Sequence, residues 1–350
     1  MLLDNNTIGL GQKKDCQNRS VVTTPTEIVK YMVDKTLSKV CEEKTPSEIL
    51  NVSVADIACG SGIFLEEAFA YLQDYCVQWY ISNGQTDHLI ETGIDLYKLP
   101  LQEKKDILCS CIYGIDIDIH AVEVAKFSLL IKLIEDETAP SVAEVVPILP
   151  DLGDNIQFGN SLVSQTELNG ISGANHQMME IAPFDWNAIN NGCGFDVIIG
   201  NPPYVNTEGM HTLLPSAEVE VYKKKYKTSH KQFDKYFIFI EQAINKIKEN
   251  GLVCYIVPNK FFKIGAGEKL RSLIAKERML VSLDDFGDAQ LFEDKTIYSS
   301  IILLSKEKQT TFVYSSVDSA NKLWAGEEVS SIELSSSVLN KLPWRLTTDF

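Results

Sequence analysis

The stretch Phe195–Val205, with the sequence FDVIIGNPPYV, decides the fold. Its first part, Phe195–Ile199, is apolar and mostly β-branched apart from one aspartate, and it predicts a buried strand. The strand ends abruptly at Gly200, and the tetrapeptide Asn201–Tyr204 follows at once. Open α/β sheets hold ligands at the carboxyl ends of their strands, so the tetrapeptide is predicted to lie at a ligand site.

The tetrapeptide suits the chemistry of a planar amino group. Pro202 and Pro203 fix φ and lack N–H donors, so the nearby carbonyls are held as acceptors in a rigid turn. The Asn201 side-chain oxygen adds another acceptor, and acceptors that hold both amino hydrogens favour the reactive, pyramidal nitrogen. Tyr204 offers a ring face for stacking a planar substrate. The alternative is a proline-rich loop that caps a strand, with Asn201 closing a turn.

A second strand end lies upstream, in Val52–Leu65 (VSVADIACGSGIFL). The strand is predicted to end at Asp56, a turn with Gly60 and Gly62 follows, and an apolar-periodic helix begins directly after it. Such a unit brings bare backbone close to a ligand. The turn matches neither G-x-G-x-x-G nor the G-x-x-x-x-G-K-[ST] loop, which argues against a nicotinamide enzyme or an NTPase. An ordinary strand-to-helix turn is the alternative.

A third strand is predicted over Cys111–Asp116 (CIYGID), with Asp118 as the cap of the helix that follows. In α/β folds that recognise nucleosides, an acidic residue at the end of the second strand binds the ribose hydroxyls. Asp116 is therefore the predicted ribose ligand. Both aspartates can instead be helix caps, and for Asp118 that interpretation is preferred.

In this order, the three pieces resemble the gamma class of DNA adenine-N6 methyltransferases from restriction-modification systems, in the catalytic portion of Type II and IIG-like enzymes. The resemblance covers roughly residues 18–306, and NPPY in its place after the other motifs is the most specific element. Thr24-Pro25 matches the opening segment that in the family folds over the methionine end of the cofactor. GNSL at Gly159–Leu162 matches the segment at the adenine edge. Residues 231–262 and 283–306 also fit.

The resemblance implies a doubly wound, mostly parallel Rossmann-like α/β sheet with helices on both faces, and S-adenosylmethionine as cofactor. It assigns the cofactor to Thr24, Pro25, Asp56, Ala58, Gly60, Gly62, Asp116, Ile117 and Asn160. The target adenine is expected to be flipped out of double-stranded DNA and stacked between Tyr204 and Phe292, although Phe292 can instead be a core aromatic. Transfer is expected to be direct and in-line, with no metal and no general-base carboxylate.

Two positions depart from the family pattern. Asn160 stands where the family often has an aspartate that accepts from the adenine amino group, and its amide oxygen can accept the same bond. Val22-Thr23 replaces the aromatic residue that usually precedes Thr-Pro.

The net charge of −16 is unfavourable for a protein that binds phosphates. Either positive charge is concentrated locally or another module supplies it. Lys223, Lys224 and Lys225, with Tyr226-Lys227 and His230-Lys231 close behind, follow the NPPY loop. This basic patch is interpreted as a DNA-binding or loop-closing surface, and a solvated helix face is the equal alternative.

Three regions are expected along the chain. Residues 1–20 form a flexible segment, and residues 21–306 form the methyltransferase domain, with insertions near 83–106 and 136–192 and a mobile loop over 169–179. Residues 307–350 are a linker and the start of a missing target-recognition domain. The chain is then expected to be a fragment or the partner of a specificity subunit, and a cognate nuclease is a further expected partner. No nuclease domain is expected before Thr24.

Composition agrees with a cytoplasmic enzyme. Eight cysteines lack paired C-x-x-C spacing, and five histidines lack the spacing of metal ligands, so no metal is expected. The sequence has no signal peptide and no apolar run long enough to span a bilayer.

Other targets stay open for the same loop. N4-cytosine enzymes more often have Ser in place of Asn201, whereas methyltransferases of ribosomal RNA bases and of protein glutamine also use NPPY. Those last enzymes are usually shorter after the motif. A catalytically dead nucleic-acid-binding subunit that keeps the fold is a further alternative, which the intact DIACGSG and NPPY segments argue against.

Overall fold

The computed structural model describes residues 2–3, 7–8, 23–138, 145–292, 297–324, 327 and 329–348. Two short strands at the start, β1 (Leu2–Leu3) and β2 (Thr7–Ile8), pair antiparallel with each other. The rest of the segment 1–20, which was predicted to be flexible, lies outside the described residues, as does Val22.

A nine-stranded sheet runs through the described part of the chain, in the order β13-β12-β10-β11-β9-β8-β3-β6-β7. Strands β7, β6, β3, β8 and β9 are parallel neighbours, and β11 and β13 run opposite to the other seven. The sheet is therefore mostly parallel, as predicted. Its strands are β3 (Val54–Asp56), β6 (Ile112–Asp116), β7 (Ile156–Phe158), β8 (Phe195–Gly200), β9 (Ile247–Pro258), β10 (Leu280–Gln290), β11 (Tyr298–Ser305), β12 (Thr311–Ser316) and β13 (Ser330–Ser335).

Helices cover both faces of the sheet, and each face has its own apolar core. Alternation along the strands divides the side chains: Ile198 points to one core, and Val197 and Ile199 point to the other. The helices are α1 (Thr26–Cys41), α2 (Pro46–Ile49), α3 (Ile63–Ser82), α4 (Leu101–Cys111), α5 (Ile119–Ile134), α6 (Ala174–Ile181), α7 (Thr207–Leu213), α8 (Ser216–Lys225), α9 (Lys235–Lys246), α10 (Glu268–Glu277) and α11 (Ala320–Trp324). Helices α1–α5 pack on the Val197 side, and α6–α10 pack on the Ile198 side.

The two regions predicted as insertions contain regular structure. A hairpin of β4 (Ile90–Gly93) and β5 (Leu96–Lys98) lies within 83–106, and β7 and α6 lie within 136–192. Helix α6 also occupies part of the segment 169–179, which was expected to be a mobile loop, so that expectation was wrong for its second half.

The chain after residue 306 continues the same sheet. β12 pairs parallel with β10, and β13 pairs antiparallel with β12. Farther on, the Trp344 ring stacks on Phe262, and buried Arg271 donates to the carbonyls of Lys341 and Leu342. The boundary predicted at residue 306 therefore falls between two strands of one sheet.

The strand order reverses between β3 and β8. From β3 the chain proceeds to β6 and β7 on one side, and it then returns to place β8 on the other side of β3. Parallel strands end at the same edge, so a crevice opens beyond Asp56 and Gly200. Three of the predicted motifs follow strands that end at this crevice or beside it.

Candidate cofactor and target-base site

The glycine loop between β3 and α3 keeps backbone exposed beside the crevice. Gly60 has φ +54°, and a Cβ added there would meet nothing within 4 Å. Gly62 has φ +92° and is the N-cap of α3, and a Cβ added there would lie 3.0 Å from the Ala125 Cβ of α5. One glycine therefore permits close approach of a ligand, and the other permits close packing of two helices.

The end of β6 braces this loop. The Asp116 carboxylate accepts hydrogen bonds from the backbone N–H of Gly60 and of Asp118, each at 2.8 Å. Asp118 caps α5 by accepting from the N–H of His120, so its predicted role as a cap is confirmed. Ile117, the next residue after Asp116, leaves 44% of its surface exposed. An acidic group beside an exposed apolar side chain suits a ribose with its attached base.

Asp56 places a second carboxyl group under the loop. It is 3% exposed, and it accepts from the Ala58 N–H at 3.0 Å. Burial, together with the nearby charge of Asp116, raises its pKa to about 8. A Cβ on Gly200 would come within 2.7 Å of its Oδ1, so the ends of β3 and β8 meet at this carboxyl group.

The NPPY loop is tied to the opening segment. The Asn201 Nδ2 donates to the buried Thr24 Oγ1 at 3.0 Å, and the Asn201 Oδ1 accepts from the Tyr204 hydroxyl. Pro25 is the cap of α1, where its carbonyl accepts from Ile28 and Val29. Thr24 and Tyr204 thus set the orientation of the Asn201 amide from two sides.

The Tyr204 ring lies edge-to-face with Tyr236, with centroids 5.9 Å apart. Its hydroxyl also reaches the Ile256 carbonyl, at 2.9 Å. Burial, with a contribution from Asp234, raises the pKa of Tyr204 well above its ordinary value. This hydroxyl is therefore a neutral donor that links the loop to the end of β9.

Phe292 does not join this group in the described part of the chain. It is 3% exposed and belongs to the core on the α1–α5 side, whereas Tyr204 packs against the opposite core. This is the placement expected for the alternative role of Phe292, a core aromatic.

Asn160 is almost fully buried after β7, with 4% of its surface exposed. Its Oδ1 accepts from the Leu162 N–H at 3.1 Å, and its Nδ2 donates to Glu218 Oε1 at 2.9 Å. Glu218 was missed in the sequence. The available signal was a glutamate flanked by apolar residues in a helix, four residues before the aromatic Tyr222.

Asp234 was also missed. It is 4% exposed, and its Oδ2 pairs with the Lys260 ammonium at 2.7 Å. Within the described residues, its Oδ1 has no hydrogen-bond partner. Burial, with a contribution from the Asp234 charge, raises the pKa of both Tyr204 and Tyr236. The segment that carries it lies against the NPPY loop, because the Lys235 N–H donates to the Val205 carbonyl at 2.8 Å.

The basic patch divides into outward and inward lysines. Lys223 and Lys224 are exposed at the end of α8, and Lys224 pairs with Glu220 at 2.6 Å. Lys225 turns inward, where it pairs with Glu167 at 2.9 Å and donates to the Leu162 carbonyl. Lys225 thus supports the segment after β7.

Across the described ranges, no group of three or more His, Cys, Asp or Glu side chains could hold a metal ion. The helices in those ranges include none that is long and apolar enough to cross a membrane.

Comparison with known proteins places this geometry in a family. The pattern of the Eco57I restriction-modification methylases matches residues 110–292. The chain is 43% identical over 316 residues to the Type II restriction enzyme and methyltransferase RM.Eco57I of Escherichia coli, covering 90% of this chain and 31% of the relative. It is also 32% identical over 114 residues to the Type II methyltransferase M.PaeR7I of Pseudomonas aeruginosa, covering 32% of this chain and 19% of the relative.

A solved structure shares the fold. The DrdV–DNA complex superposes on 89% of this chain and 30% of its own chain, with a TM-score of 0.59 and 16% identity. This chain thus spans about a third or less of the length of these three relatives. S-adenosylmethionine is the cofactor expected of such methylases. On the family match and the identity to RM.Eco57I, the chain belongs to the Eco57I restriction-modification methylase family.

Proposed function

We propose that this chain is the catalytic part of a DNA methyltransferase that transfers the methyl group of S-adenosylmethionine to N6 of a flipped-out adenine. The observation that carries the proposal is the Asn201 amide. Its N–H donates to Thr24 of the opening segment, so its oxygen faces the Tyr204 side of the loop as an acceptor. An acceptor fixed at the end of β8 suits an amino group as the substrate.

The residues that would hold the cofactor fit its chemistry. The Asp116 carboxylate suits the ribose hydroxyls, the exposed Ile117 suits a base, and the open side of Gly60 admits the ligand close to backbone. Asp56 offers a buried carboxyl group to a cationic ligand end, whose positive charge would favour the ionised form of that carboxyl group. When bound, S-adenosylmethionine supplies a methyl group on a positively charged sulfur, the electrophile of the reaction.

This chain's own contribution to transfer is position and electrostatics. The Asn201 oxygen would accept a hydrogen bond from the target amino group. It would thereby keep the lone pair of the amino nitrogen directed at the methyl carbon. Thr24 accepts a hydrogen bond from the Asn201 amide, so the opening segment and the proposed base-binding loop are joined directly. We keep Tyr204 and Phe292 as the proposed stacking pair. Stacking by Phe292 requires its ring to leave the core on the α1–α5 side, where it is 3% exposed.

Double-stranded DNA is the proposed substrate, and the chain's charge limits how tightly it binds alone. With 48 acidic and 32 basic side chains, non-specific attraction to phosphates is weak. The exposed ends of Lys223 and Lys224 are the proposed phosphate contacts beside the loop. A target-recognition domain or specificity subunit is the proposed source of the remaining contacts, and a cognate nuclease is a proposed partner.

Analysis of modified nucleosides tests the reaction. The gene that encodes this chain is expressed in a host without DNA methylation, and the DNA is digested and analysed by mass spectrometry. We expect N6-methyladenine among the nucleosides, and single-molecule sequencing of the undigested DNA should place it in one sequence motif. N4-methylcytosine, or unmodified DNA with methylated RNA or protein instead, would replace this proposal by one of the alternative NPPY activities.

Asn201→Ala tests the mechanism. Single-turnover methylation should fall at least ~100-fold, as for the loss of one preorganised transition-state contact. Cofactor affinity should fall less than about tenfold, because one neutral hydrogen bond to Thr24 is lost. Asn206→Ala is the matched control, since Asn206 lies in the same loop and caps α7. Equal rates for the two variants would reduce Asn201 to a turn residue.

A further inference from the structure

Asn160 and Glu218 form a hydrogen bond in which the amide donates and the carboxylate accepts. Glu218 is 1% exposed in α8, and the Asn160 Nδ2 lies 2.9 Å from its Oε1. The Tyr222 hydroxyl donates to the same oxygen, and the Lys235 ammonium lies 3.8 Å away. A carboxylate only accepts hydrogen bonds, so it can face only the N–H side of the Asn160 amide.

The carbonyl side of Asn160 is fixed as a result. An amide in a symmetric polar setting can turn over and exchange its donor and acceptor. Here the buried negative charge forbids the exchange, because a flipped amide would set its oxygen against Glu218. The Asn160 Oδ1 accepts once, from the Leu162 N–H at 3.1 Å, and a carbonyl oxygen has a second lone pair.

We propose that Glu218 is a positioning residue for cofactor recognition, which makes Asn160 offer an oxygen, and not an N–H, to the cofactor's base. This inference rests on the proposed contact between Asn160 and the adenine amino group. It predicts selectivity for a 6-amino purine over a 6-oxo purine. It also accounts for asparagine at this position, since an aspartate would set two carboxylates against each other in a buried site.

Glu218→Gln separates orientation from packing. Glutamine keeps the shape and can still hydrogen-bond, but its amide can accept or donate and no longer dictates how Asn160 points. The probes are S-adenosylhomocysteine and its 6-oxo counterpart, S-inosylhomocysteine, measured by calorimetry with the 350-residue chain. The original chain should prefer the adenine compound by at least about tenfold. In Glu218→Gln that ratio should fall, because the Leu162 N–H contact is then left to hold the original orientation without the carboxylate.

The control is Glu220→Gln, on the exposed side of the same helix and paired with Lys224. Its ratio should equal that of the original chain. If Glu218→Gln weakens both compounds equally and preserves the ratio, Glu218 has a structural role only and the proposal fails. If the original chain binds both compounds equally, Asn160 does not contact the base, and the proposal fails while methylation stands. If neither compound binds, the cofactor assignment falls first.

A swapped pair gives an independent test. Asn160→Asp should lower the melting temperature and the affinity for S-adenosylhomocysteine, because two buried carboxyl groups then face each other. Adding Glu218→Gln restores a donor opposite the new carboxylate. The double variant should recover most of both losses, whereas additive losses would contradict a direct pair.

Discussion

Replacing Gly200 by alanine tests the close approach on which the crevice depends. The added Cβ would lie 2.7–2.8 Å from the three atoms of the Asp56 carboxyl group, whereas ordinary contact begins at 3.4 Å. The carboxyl group or the strand must therefore move by about 0.6–0.7 Å to restore ordinary contact. Asp56 is 3% exposed and held by Ala58, so its carboxyl group cannot swing into solvent.

Overpacking of this kind costs about 1–3 kcal/mol of unfolding free energy. Because the shifted group lies at the proposed cofactor site, we also expect weaker binding of S-adenosylmethionine. Gly84→Ala is the control, since it has φ +67° but open space around an added Cβ. It should lose only the backbone term for a left-handed residue, about 1 kcal/mol, with unchanged cofactor affinity.

Urea unfolding and calorimetry with S-adenosylmethionine measure the two effects in each variant. The steric argument would be refuted if Gly200→Ala matched the control in both stability and affinity. Loss of stability with full affinity would show that the strand ends can part without disturbing the site.

Two further predictions concern charge. The pKa of Asp56 is about 8 in the folded chain, above its unfolded value of about 3.9. The stability that Asp56 contributes is therefore present at low pH and is lost as pH rises toward 8. Asp56→Asn should flatten that decline between about pH 4 and 8, measured by thermal unfolding; an unchanged slope would exclude Asp56 as its source. Lys223→Glu should weaken DNA binding and reduce the magnitude of the slope of log K against log salt by about one or more. Lys39→Glu should change neither, because Lys39 lies in α1, on the opposite face of the sheet.

The strands that build the crevice could be predicted, because each is a short apolar run with a sharp end. Phe195–Ile199 stops at a glycine and two prolines, and β3 stops at a glycine loop. Those turns interrupt the strand pattern in a way that local chemistry explains. The fold class was implied by the family resemblance that the motifs at these strand ends carry, and the structure confirms it.

Strand direction and the last strands could not be predicted. Nothing in the apolar pattern of β11 shows that it runs opposite to β9 and β10, because side-chain alternation is the same in either direction. β12 and β13 are short, and polar side chains alternate along β13, so they resembled a linker. Their place depends on pairing with β10, which is a long-range contact.

Some site residues could likewise be predicted from the sequence, and others could not. Asp116 and Gly60 could be selected because each ends or follows a strand, although their contact spans 56 positions. Glu218 could not, because its importance comes from a partner 58 positions away and from burial that one charged letter does not reveal. The bond between Thr24 and Asn201 spans 177 positions and was likewise invisible.

The reversal of strand order between β3 and β8 has a consequence for synthesis of the chain. β3 pairs on one side with β6, but its other edge awaits β8, which is made about 140 residues later. During translation that edge carries unpaired N–H and C=O groups, a template for pairing with other chains. Protection by a chaperone during this interval, or growth at low temperature, should therefore raise the soluble yield.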